Sequence, residues 1–128
     1  MLNYDGIEKT TLTAPKQILA NVQLQESVGC IVPQALGVAV GSKKIAKAGT
    51  PINIDFTNLQ TAAKAAATAS PMNAVLLHDV DVTSGSKNGT ALIFGFVNLN
   101  RVDSDVASAI ATAKGYGTPS PMLTFIKA

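Results

Sequence analysis

Short apolar and alternating runs, closely spaced between Gly and Pro, mark much of this chain, so strands are expected to dominate. The most regular stretch runs from Asn73 to Asn100, NAVLLHDVDVTSGSKNGTALIFGFVNLN. Two apolar runs, Val75 to Val82 and Thr90 to Leu99, flank a polar connection from Ser84 to Gly89. Lys87-Asn88-Gly89 tolerates positive φ, and the pattern predicts an antiparallel hairpin turning there. By strand parity Leu76, His78, Val80 and Val82 share one face of the first strand, opposite Val75, Leu77, Asp79 and Asp81. On the second strand Leu92, Phe94 and Phe96 share a face opposite Ala91, Ile93, Gly95 and Val97. Both faces are apolar, so this strand is expected to be buried on both sides. Gly95, between two phenylalanines, marks a bend or a close backbone approach.

The flanking chain is punctuated by Gly and Pro at short intervals. Gln17 to Leu24 alternates weakly as a strand, and Lys9 to Leu12 can pair as another before Pro15. Val28 to Val32 is a strand closed by Pro33, and Leu36 to Val40 a second, broken by Gly41-Ser42. Lys43 to Lys47 returns, Ala48-Gly49 and Thr50-Pro51 turn, and Ile52 to Phe56 alternates again. Thr57 to Ala69 changes character. Thr57 and Gln60 match a capping box, and six alanines follow between Thr61 and Ser70, so a helix is expected until Ser70-Pro71. Asp103 to Lys114 predicts a second helix. Asp103 or Ser104 caps it, Val106, Ala109, Ile110 and Ala113 line its apolar face, and Gly115 stops it. Met122 to Ile126 is a closing strand. The expected fold is mainly β, a compact barrel or sandwich with one or two short helices. Residues 1–27 are expected to form an N-terminal arm and first strand, and residues 28–128 a β-rich domain.

Composition narrows the function classes. At 128 residues the chain fits one domain. Charged residues are only 14%, against about 25% in ordinary soluble proteins. A charge-poor surface rich in Ala, Gly, Thr and Ser suits coverage by neighbours, through oligomerisation or docking. A net charge of +2 and 5% aromatics argue against a nucleic-acid partner. The single cysteine, Cys30, excludes an internal disulfide and a multi-cysteine zinc site, and its apolar neighbours mark it as a small buried hydrophobe. No long apolar run opens the chain, so neither a secretory signal nor a membrane span is expected, and folding in a reducing cytoplasm is. Leu2, Tyr4 and Ile7 are apolar anchors for an arm that orders on a partner surface. Lys43, Lys44 and Lys47 form a small basic cluster, expected to be solvated.

His78-Asp79-Val80-Asp81 is the one cluster that looks chemical. In a strand both aspartates project to one face and the histidine to the other. The carboxylates can share a divalent cation that the histidine cannot join, but two ligands fall short of a zinc or calcium set. One histidine, no G-x-S-x-G and no phosphate-binding glycine loop argue against nucleophilic catalysis and nucleotide binding. No catalytic, cofactor or metal residues are therefore expected, and the aspartates are expected to bond neighbouring backbone.

Ala74 to Val102, AVLLHDVDVTSGSKNGTALIFGFVNLNRV, resembles the signature segment of tailed-bacteriophage head fibre and capsid decoration proteins, with its VLLHDVDVT, NGT and GFVN blocks. Gly29 to Pro33, Lys47 to Pro51 and Leu123 to Lys127 are similar to further parts of that family, so the resemblance spans roughly Val28 to the C-terminus. It implies a non-enzymatic virion protein, made in the host bacterial cytoplasm and bound to the outer capsid surface as a homotrimer. The major capsid protein would be its partner, with no cofactor, nucleic acid or membrane. Leu2, Tyr4, Ile7 and Lys9 are then the expected capsid-binding residues. Fibre members carry a distal extension, and a chain ending at Ala128 fits a compact cement protein better. The alternative of a different class is a virion-exposed module that binds host glycans.

Overall fold

A computed structural model describes residues 17–21, 23–113 and 122–127. The fold is mainly β, as the alternation predicts: two largely antiparallel sheets stack as a sandwich that does not close into a barrel. Its strands are β1 (Glu26–Val32), β2 (Val38–Val40), β3 (Lys43–Ala46), β4 (Pro51–Asn53), β5 (Lys64–Ala65), β6 (Ala74–Leu76), β7 (Val80–Asp81), β8 (Lys87–Asn98) and β9 (Leu123–Ile126). One α-helix, α1 (Ser104–Ala113), occurs among the described residues. The large sheet runs β1-β8-β6-β4-β5, with β9 parallel to the far end of β8, and the small sheet runs β2-β3-β7.

The large sheet is the middle layer. On one face Val75, Leu77, Leu92 and Val97 pack with Val106, Ile110 and Ala113 of α1, together with Ile18, Met72 and Leu123. On the other, Leu76, Ala74, Ala91, Ile52 and Val32 pack against Ala46, Val82 and Leu36 from the side of the small sheet. β6 and the first half of β8 are thus covered on both sides, which their two-faced apolar pattern requires. Leu76 and Leu92 have no exposed surface. Each such side chain contributes about 1.5–3 kcal/mol. Ile18 and Leu19 are buried as well, and Leu19 bridges Val97, so the core already includes chain that precedes β1.

Three expectations are corrected. First, Thr57 to Ala69 is not a helix. The Thr57 hydroxyl donates back to Asp55 and caps no helix, and Asn58 closes a turn by accepting from Gln60 N. The alanines serve close backbone approach instead: Ala63 N–H donates to Ile31 C=O and Ala65 pairs with Ile52. Tertiary pairing overrides a high helix propensity here.

Second, Val75 to Val82 is not one strand. β6 pairs with β8 as the predicted hairpin partner, at Val75↔Leu92 and Leu76↔Ala91. The chain then leaves the large sheet, and β7 joins β3 in the small one. The turn before β8 lies at Val82 to Gly85, where Gly85 N–H donates to Val82 C=O, and Asn88-Gly89 lies inside β8. Gly89 is needed there because a Cβ would meet Val32 Cγ2 at 2.6 Å, between the sheets.

Third, Leu92, Phe94 and Phe96 do not share a face. Ser27 pairs with Leu92 but Glu26 with Phe94, so β8 carries one extra residue at Ile93. That bulge reverses the parity of every later residue in the strand. Gly95 and Val97 turn to the helix side with Leu92, while Phe94 and Phe96 turn away. The remaining differences are smaller: Gln34–Leu36 is a 3-10 turn before β2, and the strand after Gly49 ends at Asn53.

Candidate functional site

The residues singled out for chemistry lie where the chain crosses between the sheets. Asp79 holds the crossing. Its Oδ1 accepts the Ala48 N–H at 2.7 Å, pinning the β3–β4 turn to the end of β6. Asp81 Oδ1 accepts both the Thr83 N–H at 2.9 Å and the Thr83 hydroxyl at 2.6 Å. The Thr83 Oγ1 in turn accepts the Lys44 N–H at 2.8 Å, which fastens the turn to β3. Asp55 and Thr57 repeat the Asp-x-Thr arrangement after β4. Both aspartates bond neighbouring backbone, as expected from the sequence. His78 Nδ1 is buried without a hydrogen-bond partner, so no carboxylate orients the ring as a base. Cys30 is buried in β1, and desolvation pushes its thiol pKa up, the opposite of an activated nucleophile.

The threonine hydroxyls, then the threonine N–H groups, hold the Asp81 and Asp55 carboxyls below the usual carboxylate range. A lowered folded pKa stabilises above the unfolded value, about 3.9, and that stabilisation fades as pH falls through the folded one. Thr57→Val with Thr83→Val is therefore expected to lower Tm at pH 7. Thermal scans across acid pH should show the gap to the unaltered protein closing below about pH 4. A gap constant with pH would mean the threonines act by packing alone.

One cluster was not legible in the sequence. A shallow surface depression is lined by Val40, Lys43, Ile45, Lys47, Asp79, Asp81 and Asp103. It draws Asp103 from just before α1 to the two aspartates of the crossing. Lys47 is ion-paired to Asp103 at 3.1 Å and to Asp105 at 3.1 Å, so the expectation of a solvated lysine is corrected. These carboxylates, Asp105 first, raise the Lys47 pKa, so its contribution is complete at neutral pH and is lost only in strong alkali. The ion pairs tie the β3–β4 turn to the start of α1. With Lys43 and Lys47 offsetting most of the carboxylate charge, the depression suits a latch rather than a cation site. Among the described residues no group of three or more His, Cys, Asp or Glu is placed to hold a metal.

What the surface does offer is apolar area. Val38, Val40, Phe56, Phe94, Met122 and Ile126 are all exposed. β2 is exposed along its length and, among the described residues, forms the outer edge of the small sheet. Its sequence, Val-Ala-Val, carries no charge, proline or bulge, so of the usual devices that keep an edge strand from pairing it has only its three-residue length. Leu2, Tyr4, Ile7 and Lys9 lie outside the described residues. No helix among the described residues is long and apolar enough to cross a membrane. No family model matches the chain, and neither a curated protein nor a solved structure matches it.

Proposed function

We propose that this chain is a capsid decoration protein, a non-enzymatic cement that binds the major capsid protein on the outer face of a phage head as a homotrimer. The observation that carries the proposal is the exposed, uncharged apolar edge of β2 on a small, charge-poor domain, which suits a surface meant to be covered. Three further points support it. The Ala74 to Val102 segment that resembles head decoration proteins contains β6, β7 and β8, the centre of the fold. Asp79 and Asp81 are taken up by structural hydrogen bonds, and His78 Nδ1 is buried without a partner. Lys47 and its two aspartates brace the helix against the sheets, as a protein that clamps neighbours needs.

In this reading Leu2, Tyr4, Ile7 and Lys9 contact the capsid lattice. Expanded capsids should carry the purified chain at fixed stoichiometry in co-sedimentation. Removing Met1 to Thr13 should weaken binding by about tenfold or more, equivalent to at least ~1.4 kcal/mol. Undiminished binding would remove the arm from the proposal, and no binding by the intact chain would remove the proposal itself.

A further inference from the structure

Lys87-Asn88-Gly89 reads as a turn in the sequence but lies inside β8, and that placement governs a reaction. Asn88-Gly89 is the one Asn-Gly pair in the chain. Asparagine before glycine cyclises readily, because glycine has no Cβ to hinder the attack of its nitrogen and leaves the backbone free to bend. The Gly89 amide nitrogen loses its proton and bonds to Asn88 Cγ, and the side-chain amide leaves as ammonia. Water then opens the succinimide at either carbonyl, giving aspartate or isoaspartate. The net exchange is one water gained for one ammonia lost.

We propose that Asn88 is a deamidation site closed by the fold: it reacts when β1 parts from β8, and its isoaspartyl form then bars β1 from returning. The Asn88 side chain is exposed, so water reaches it and the restraint lies in the backbone. An extended backbone swings the Gly89 nitrogen away from Asn88 Cγ. The same nitrogen is also engaged. Leu77 N–H donates to Thr90 C=O, so the backbone groups of Thr90 point at β6. Successive residues of a strand point to opposite sides, so those of Gly89 point at β1, where Gly89 sits opposite Cys30. Freeing the Gly89 nitrogen therefore requires β1 to leave. β1 ends the order of the large sheet, and beyond β8 it is fastened at Ile31, whose C=O accepts the Ala63 N–H at 2.9 Å. Isoaspartate adds one atom to the backbone between Lys87 and Gly89. The pairs Val32↔Lys87 and Cys30↔Gly89 then cannot both keep register. Nor can the strand bow aside at Gly89, where even a Cβ would meet Val32 Cγ2 at 2.6 Å and Val80 Cγ2 at 3.3 Å. The proposal concerns the isolated chain and does not depend on the capsid reading.

Peptide mapping by mass, on the full-length protein at mildly alkaline pH, measures the reaction, and isoaspartyl methyltransferase labels the product. In unfolding guanidinium chloride Asn88 should be the first of the chain's asparagines to deamidate. In buffer its rate should fall by roughly tenfold or more. Val32→Ala removes packing from beside Gly89 and should raise the rate in buffer, in step with loss of hydrogen-exchange protection at the Gly89 amide. Isoaspartyl protein returned to buffer should show a lower Tm and an unprotected Gly89 amide. Asn88→Asp, which keeps the backbone length, should retain both, and it separates the added atom from the added charge. Equal Asn88 rates in denaturant and in buffer would overturn the gate. Isoaspartyl protein with a fully protected Gly89 amide would overturn the bar to re-pairing.

Discussion

Gly49→Ala is expected to lower stability by about 2–4 kcal/mol, a large share of what a domain of this size possesses. Gly49 sits in the β3–β4 turn at φ +91°, where an L side chain is strained. Left-handed backbone alone costs about 1–2 kcal/mol. Space is the second problem. A Cβ at Gly49 would lie 2.8 Å from Val102 Cγ1 and 3.1 Å from Val106 Cγ1, within the core under α1. Nor can the turn swing clear, because Gly49 N–H donates to Leu76 C=O at 2.6 Å and Ala48 N–H is held by Asp79. The two contributions separate in a double-mutant cycle. Val102→Ala should relieve the clash but not the φ strain, so Gly49→Ala should cost about 1 kcal/mol or more less in that background. Gly41 is the control, since it also has positive φ, +61°, yet a Cβ there meets nothing within 4 Å. Urea unfolding of the set measures this. Equal losses for Gly49→Ala and Gly41→Ala would show that packing against Val102 is not what demands glycine.

How much of this was legible in the sequence depended on how local the determinant was. The turn at Ala48-Gly49 announced itself by residue type, and α1 by its caps and its Val106–Ile110 spacing. The burial of β8 on both faces followed from two apolar sets on one strand, and Leu92 with Ala91 bears it out from opposite faces. The failures all involve partners distant in sequence. Nothing within Thr57 to Ala69 reveals that Ile31 and Ile52 will take up its backbone groups, so alanine propensity pointed to a helix. The bulge at Ile93 is defined only by its pairing with β1, and a one-residue insertion suffices to put Phe94 on the wrong face. Strand parity was applied across His78 and Asp79, which lie between β6 and β7, and it gave no sign that Asp103 would join the aspartates, since that depends on where α1 begins relative to the crossing.

Asn73 belongs to the same class, and its replacement is the second large expected effect. Just before the signature segment it looks like a polar boundary residue. In the fold its side chain acts as a further rung of the β4–β6 ladder. The Asn73 N–H donates to Ile52 C=O at 3.1 Å, Oδ1 accepts from Ile54 N–H at 2.9 Å, and Nδ2 donates to Ile54 C=O at 2.8 Å. Ile54 is buried, so water cannot readily replace either side-chain bond. Asn73→Ala strands one donor and one acceptor together, for an expected loss of about 2–4 kcal/mol. Asn73→Asp distinguishes this from simple loss of contact. It keeps the acceptor but sets a carboxylate against the Ile54 carbonyl, which should raise that carboxyl's folded pKa. A raised folded pKa means that the variant regains stability relative to the unaltered protein as pH falls through it, because the protonated oxygen can donate. Hydrogen exchange supplies the local readout, with the Ile54 amide losing protection in Asn73→Ala before the β8 amides do. If the Ile54 amide stayed as protected as in the unaltered chain, the fold would be held at this point by the Ile54 side chain, and the Asn73 amide would be incidental.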